Sequence, residues 1–463
     1  MTARHLDGLP LPRRYWAMAA IALAIAMSVL DSTIVNVALP TLARELGATP
    51  ADSVWVINAY QLAILVLLLP LASLGERVGY RRISQTGLVV FTLASLACAC
   101  APTLLTLSIA RVVQGLGAAG IMSVSGALVR FTYPHRQLGR AVGINALVVA
   151  SSAALGPTLA SAVLAVAHWR WLFGINVPLG VVAFLIAVYA LPDNERVQRP
   201  PDYLGALLYA ATLGLLLSGL QSFAHHATTA LALLPVACAL LLAWLLARHE
   251  LPRDAPLVPF DLLRRRVFSL SILTSVCSFM AQMTAFVALP FEIQRLGHSA
   301  VETGLFMTPW PLGLGLAAPI AGRLADRYPA GILGGVGLLA LACGLTLLVF
   351  LPAGAGAGEF VWRMALCGLG FGFFQAPNNR TIMAAAPRQR SGAAGGMLGA
   401  ARLLGQSLGA AGAAILFRSY AETGPKVALG VAAFLALAGA AVSALRLAED
   451  SREPPGLPPD VAL

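Results

Sequence analysis

Apolar residues run along this chain in blocks of about twenty, broken by short clusters of proline, glycine, arginine and acidic residues. A helix that crosses a bilayer needs about 20 consecutive apolar residues. Hydropathy, with proline and charge as punctuation, predicts fourteen such helices, at 16–39, 54–74, 83–101, 103–127, 141–165, 171–191, 203–222, 229–247, 268–290, 301–321, 331–351, 361–379, 391–417 and 426–446. The seventh and eighth are divided only by the polar stretch 222–228. Spans of this length and number take up roughly 280 residues and leave short loops. The first block follows Arg13 and Arg14, as the core of a secretory signal would. It continues from Trp16 through Asp31 to Pro40, with no small-residue cleavage site or mature polar domain after it, which predicts a retained first helix.

Composition removes the alternatives. Of the 463 residues, 58% are hydrophobic and 11% charged, and the mean hydropathy is +0.80. A soluble globular chain carries roughly 25% charged residues, so this one could not give a compact soluble fold a wettable surface. A soluble enzyme, a disordered scaffold and a nucleic-acid binder are therefore disfavoured, and the fold class expected is an all-α polytopic membrane protein. The net charge of +11 is scattered between the apolar blocks, whereas a nucleic-acid binder gathers it on one face. With the N-terminus in the cytoplasm and the spans alternating, about 23 Arg and Lys fall on the cytoplasmic side and about 6 outside, as positive-inside orientation requires. Arg77, Arg81 and Arg82, Arg130, Arg136 and Arg140, Arg264 to Arg266, and Arg380, Arg388 and Arg390 all land inside. An odd number of spans would destroy this asymmetry, so both termini are expected in the cytoplasm. The six cysteines lie inside apolar blocks without metal-ligand spacing, and no metal is expected.

An internal repeat organises the blocks. ASLGERVGYRR begins at Ala72 and GRLADRYPAGI at Gly322, and each closes the second span of a six-span group with a small residue, an acid and an arginine: Glu76–Arg77 and Asp326–Arg327. This predicts an N-terminal six-helix half over 1–192, a linker with two inserted transmembrane helices over 193–267, a C-terminal six-helix half over 268–447 and a cytoplasmic tail over 448–463. Parallel six-span repeats are the plan of a rocking secondary transporter with its site where the halves meet.

Charges within spans are expensive and so informative. Asp31, Arg111 and Arg402 stand out. Asp31 lies nine residues before Pro40 and Arg111 nine after Pro102, which places both roughly 13 Å below the external surface at 1.5 Å per residue. Burial disfavours a charged carboxylate and a neighbouring cation favours it, so a paired Asp31 is either a proton carrier or a permanent structural ion. Gln114, one turn from Arg111, either orients the guanidinium or lines a cavity. Arg402 follows the small-residue run 391–401 and precedes Gly405, Gly409 and Gly412, a spacing that predicts a close-packing stripe; it either bonds backbone carbonyls or faces a wet cavity. Gly156-Pro157 lies within the fifth block and reads as a hinge or as a static kink. Phe279, Met283 and Phe286 surround Gln282 on the ninth, which suits varied lipophilic ligands or a plain core. Asn36, Tyr60, Gln61 and Gln375 are further cavity candidates. No HExxH, P-loop or Gly-x-Ser-x-Gly elbow is present, so neither an enzyme nor ATP as energy source is expected.

These residues resemble a known family. Leu30–Pro40, LDSTIVNVALP, is similar to the first-helix signature of the fourteen-span drug:proton antiporters of the major facilitator superfamily. The resemblance continues through Trp55–Tyr60, through Ala72–Arg82 as motif A, through Arg111-Val-Val-Gln-Gly115 as motif B and through Gly156-Pro157 as motif C. It includes the helix 5–6 junction from Trp169 to Phe173, with Asn176 and Pro178. It implies proton-driven export of lipophilic or amphipathic compounds by two six-helix halves plus two inserted helices, with no cofactor. It also implies that Asp31 binds the proton, that Arg111 tunes it, and that Glu76, Arg77, Gly79, Arg81, Asp326 and Arg327 gate the cytoplasmic side. Ala72, Glu76 and Tyr80 depart from motif A, which implies a weaker latch, and Ala160-Ser161 replaces the Gly-Gly after motif C. Helix 13 lacks the acids of members that take dicationic drugs, which counts against such substrates.

The expected setting is the bacterial inner membrane, with lipid, protons and a small lipophilic substrate as partners. The loops are too short to bridge a periplasm alone, so a periplasmic adaptor and outer-membrane channel are candidate partners. Competing readings are a proton-linked importer of a small metabolite on the same fold and a non-transporting membrane sensor. The antiporter-like Gly156-Pro157 and the apolar ninth helix count against the first, and the buried Asp31 and Arg111 against the second.

Overall fold

The computed structural model describes residues 8–193, 202–223, 229–253, 256–352, 354–387, 390–420 and 422–450. The stretch 224–228, the linker segment 194–201, Arg388 and the tail beyond 450 lie outside the described residues. Every regular element described is helical. The long helices are α1 Arg13–Glu45, α2 Trp55–Val78, α3 Tyr80–Ala99, α4 Leu104–Thr132, α5 Leu138–Val166, α6 Asn176–Ala190, α7 Tyr203–Phe223, α8 Thr229–Glu250, α9 Arg266–Arg295, α10 Pro309–Leu324, α11 Ala330–Val349, α12 Ala357–Ala384, α13 Ser391–Ser419 and α14 Gly424–Asp450. Short helices lead into several of them, including Trp171–Gly174 before α6 and Ala300–Met307 before α10.

Local chemistry sets many of the ends. A reciprocal capping box between Thr103 and Thr106 opens α4, and one between Ser299 and Glu302 opens the helix before α10. Gly79, at φ +112°, ends α2 and starts α3 in a backbone conformation that a side chain would strain. Pro40, expected to close the first helix, lies inside α1 instead, which runs on to Glu45. Proline removes a single backbone bond, a loss that bilayer helices absorb. Asp31 is consequently about 21 Å along the helix from its Glu45 end, whereas Arg111 is about 10 Å from the start of α4. Counting from helix ends does not put the two at equal depth.

Thirteen helices among the described residues are long and apolar enough to cross a membrane. The one expected at 361–379 corresponds to α12, whose 28 residues include Arg363, Gln375, Asn378 and Asn379, and it is not among them.

The chain divides into two compact units, Met1–Gly214 and Leu215–Leu463, so the division falls within α7. In the first unit α1 packs on α4, α5 and α6, α2 on α4, and α3 on α4 and α6. In the second, α9 packs on α12, α13 and α14, α10 on α12, and α11 on α12 and α14. The two sets of neighbours correspond helix for helix.

Glycines mark the same crossings in both units. On α4, a side chain at Gly115 would run into the Tyr60 carbonyl of α2, and one at Gly117 into α3 at Gly87 and Phe91. On α12, Gly368 presses in the same way on the Trp310 carbonyl of α10, and Gly370 on Gly337 of α11. Gly156 of α5 meets Thr33 of α1, as Gly405 and Gly409 of α13 meet α9 between Val276 and Thr284. Gly412, expected in the same stripe, faces nothing within 4 Å.

Candidate functional site

Five of the six helices α1 to α6 converge on Asp31, and the reason is chemical. A carboxylate and a guanidinium placed in an apolar bundle must find all their partners inside it. Asp31 is 2% exposed and Arg111 1%, and the two form an ion pair through Asp31 Oδ2 and an Arg111 Nη1. Asp31 Oδ1 accepts from Gln114 Nε2 at 2.9 Å and from Asn176 Nδ2 at 2.9 Å. Arg111 donates further to the Val56 carbonyl at 2.9 Å and to Gln114 Oε1 at 2.6 Å. Its guanidinium lies over the Tyr60 ring, 4.0 Å from the centroid. Gln114 also donates to Ser95 Oγ at 2.9 Å, and Tyr60 is itself held by the Ser28 carbonyl at 2.9 Å. Gly115 lets α4 come close to α2 one turn after Arg111, and Gly156 lets α5 come close to α1 two residues from Asp31.

The donor inventory dictates what this cluster can do. Both oxygens of Asp31 face N–H donors. Three of the about four acceptor positions of a carboxylate are filled, two on Oδ1 and one on Oδ2, so a proton would take the remaining position on Oδ2 or displace a donor, and either way it removes the charge that neutralises Arg111.

The sequence singled out Asp31 and Arg111 as a pair, and they meet. Gln114, left between orienting and lining, contacts both partners and is fully buried. Ser95 and Asn176 were not anticipated as site residues. An asparagine in the apolar run Asn176–Ala190 is a readable signal, whereas Ser95, which also bonds the Phe91 carbonyl of its own helix at 2.7 Å, gives none.

The other candidates fall elsewhere. Asn36, Tyr60 and Gln61 are all buried within the first unit, and Asn36 donates to the Ser32 carbonyl at 3.1 Å. In the second unit Phe279 meets Phe371 edge-on at 5.3 Å and Phe286 meets Trp310 at 4.9 Å. Met283 is buried, while Gln282, Gln375 and Arg402 are half-buried. At the gating positions Glu76 is exposed and Arg77 half-buried beside Gly79. Arg81 pairs with Asp193 at 3.2 Å and reaches the Val188 carbonyl at 2.5 Å. Asp326 pairs with Arg380 of α12, and Arg327 is exposed. Through Gly156-Pro157, α5 continues unbroken to Val166.

The second unit has a polar cluster that the sequence did not disclose. Arg446 of α14, 1% exposed, donates to Asn378 Oδ1 at 2.6 Å, Ser443 Oγ at 2.7 Å and Ser271 Oγ at 2.9 Å. Asn378 in turn donates to Ser275 Oγ at 2.8 Å. The crossing that holds Arg111 in the first unit holds Met364 here, four residues before Gly368.

Apolar helices in two like-built units, with a sealed ionisable cluster inside one, define a multi-pass membrane transporter rather than an enzyme. The profile of the Major Facilitator Superfamily matches residues 21–410 and, again, 273–460, and the chain belongs to that family. It is 52% identical over 446 residues to the uncharacterized transporter YebQ of Escherichia coli (strain K12), covering 96% of this chain and 98% of that one. It is 30% identical to the riboflavin transporter RibZ of Clostridioides difficile (strain 630), covering 86% and 87%. It is 32% identical to the multidrug resistance protein Stp of Mycobacterium tuberculosis, covering 84% and 73%. Among solved structures, an inward-facing bacterial homologue of the human lysosomal transporter Spinster shares the fold at a TM-score of 0.71 and 14% identity, over 97% of this chain and all of that one.

Proposed function

We propose that this transporter is a fourteen-span drug:proton antiporter that exports lipophilic or amphipathic small molecules from the cytoplasm of a bacterial cell, with both termini inside. The observation that carries the reading is the sealed Asp31 cluster, in which a proton on the carboxylate would leave the buried Arg111 without its counter-charge. Relatives named for multidrug resistance support the substrate class. Asp31 takes the proton from the outer side. Its bonds to Arg111, Gln114 and Asn176 loosen, the helices rearrange, and the proton leaves to the cytoplasm as the cluster closes again. Gly156-Pro157 acts as the hinge of α5 against α1, and the loops at Glu76–Arg81 and Asp326–Arg327 gate the inner face. One charge crossing 100 mV corresponds to about 2.3 kcal/mol. A proton falling through roughly 170 mV thus supplies about 4 kcal/mol, near a thousandfold gradient of a neutral substrate. A single buried acid suffices, and no cofactor takes part.

Everted membrane vesicles test the reading. Adding a lipophilic toxin that the protein exports releases protons from the acidified lumen of vesicles carrying the intact protein. Asp31→Asn, whose amide oxygen still accepts from Arg111, reaches the membrane but gives neither proton release nor accumulation. Full export by that variant overturns the proposal. A second reading, proton-linked uptake of a small metabolite, draws on the relative named as a riboflavin transporter. It predicts the opposite proton movement in the same vesicles.

A further inference from the structure

We propose that Arg402 binds the oxyanion of an acidic lipophilic substrate and so sets the charge class of compound this transporter accepts; its physiological meaning rests on the export reading above. Two other arginines inside the helices have several side-chain partners. Arg111 is engaged by Asp31, Gln114 and the Val56 carbonyl, and Arg446 by Ser271, Asn378 and Ser443. Arg402 differs. It stands eleven residues after the first residue of α13, Ser391, about 16 Å along the helix. No hydrogen bond or ion pair from a described residue reaches it. Its side chain is half-buried and its nitrogens are not among the fully sealed, unpartnered atoms of the described residues.

Four carboxylates of the second unit have arginine partners of their own. Glu292 pairs with Arg295, Glu359 with Arg363, Asp326 with Arg380 and Asp261 with Arg390. A free guanidinium at mid-helix is too costly to face lipid and belongs in a wet cavity. Gln406, one turn further on, is half-buried and likewise has no partner among the described residues, which adds a neutral donor and acceptor beside the cation. Gly405, three residues from Arg402, packs closely on α9 at Val276 and Phe279. A planar fork of donors within an apolar helix bundle fits a carboxylate, sulfonate or phosphate carried on a hydrophobic body.

Three probes of one skeleton test this on the purified full-length protein in phosphatidylcholine nanodiscs: 1-pyrenebutyrate, its primary amide, and pyrenebutyl-trimethylammonium. Fluorescence anisotropy at pH 7.5 is expected to show the anion bound at least tenfold more tightly than the amide, and the cation least. Arg402→Met removes the difference while the amide binds within about twofold of its original affinity, and Arg402→Lys keeps part of it. Arg402→Gln is the second neutral variant, needed if the methionine form does not bind the amide. Equal binding of anion and amide by the intact protein, a preference for the cation, or an anion preference that survives in either neutral variant overturns the proposal. Phosphatidylglycerol in the disc, at a salt concentration that screens the bilayer charge, leaves anion binding unchanged if a free substrate is the occupant. Competition by that lipid would overturn the substrate reading in favour of a headgroup phosphate. Binding needs no proton gradient, so failure here leaves Asp31 coupling standing, and loss of coupling with the anion preference intact counts against export alone.

Discussion

Protonating a carboxylate that accepts three donors, one of them from an arginine, leaves that arginine without its counter-charge, and this makes the Asp31 cluster sensitive to each partner separately. Arg111→Met leaves Asp31 buried without its counter-charge, and removing one partner of such a pair destabilises by about 3–5 kcal/mol. Thermal unfolding in detergent checks it, with a lowered midpoint expected. Arg111→Lys does not restore the original, because lysine has no equivalent of the Nε that reaches the Val56 carbonyl and no flat face for Tyr60. Asn176→Leu removes one donor from Asp31 and keeps the ion pair, so proton-coupled export in vesicles is expected to fall about tenfold, the scale of one hydrogen bond to a charged group. The charged members of this cluster were legible in the sequence because a charge inside an apolar block is conspicuous. Ser95 was not, because a serine in a helix ordinarily satisfies itself on its own backbone, as Ser95 also does.

At the scale of helices, glycines at corresponding crossings fix how closely neighbours approach. Gly156→Ala drives a methyl group into Thr33 of α1, and overpacking of this kind destabilises by about 1–3 kcal/mol. Thr33→Ala removes the nearest atom and is expected to recover part of the lost melting temperature. Gly368→Ala meets the Trp310 backbone instead, so no side-chain truncation rescues it. The same measurement on the double and single variants separates the two cases. Hydropathy located the helices because each has to match the bilayer. It could not locate their neighbours, which depend on single glycines whose contacts lie far along the chain. The four-residue spacing of Gly405 and Gly409 did announce a close-packing stripe, though not that α9 is its partner, and Gly412, in the same stripe, makes no contact. Pro40 misled the reading of the first helix because proline ends helices in water more reliably than in a bilayer.

At the scale of the whole chain, two units with matching neighbours carry different chemistry: a sealed acid and arginine in one, an arginine among neutral oxygens and a free arginine in the other. Only the pair of acidic loops at Glu76 and Asp326 betrayed this kinship in the sequence. Whether α12 spans decides the parity of the fold. Epitope tags at both ends are expected on the outer face of everted vesicles, open to protease; tags on opposite faces would mean an odd number of spans and would break the arginine asymmetry. The central claim is that Asp31 gains and loses a proton during the cycle. Infrared difference spectroscopy on the purified protein in lipid, with and without an exported substrate, reads this at the carboxyl itself. The account predicts a protonated carboxyl band that changes when substrate binds and is missing in Asp31→Asn. A carboxylate signal unaltered by substrate across the working pH range would contradict it.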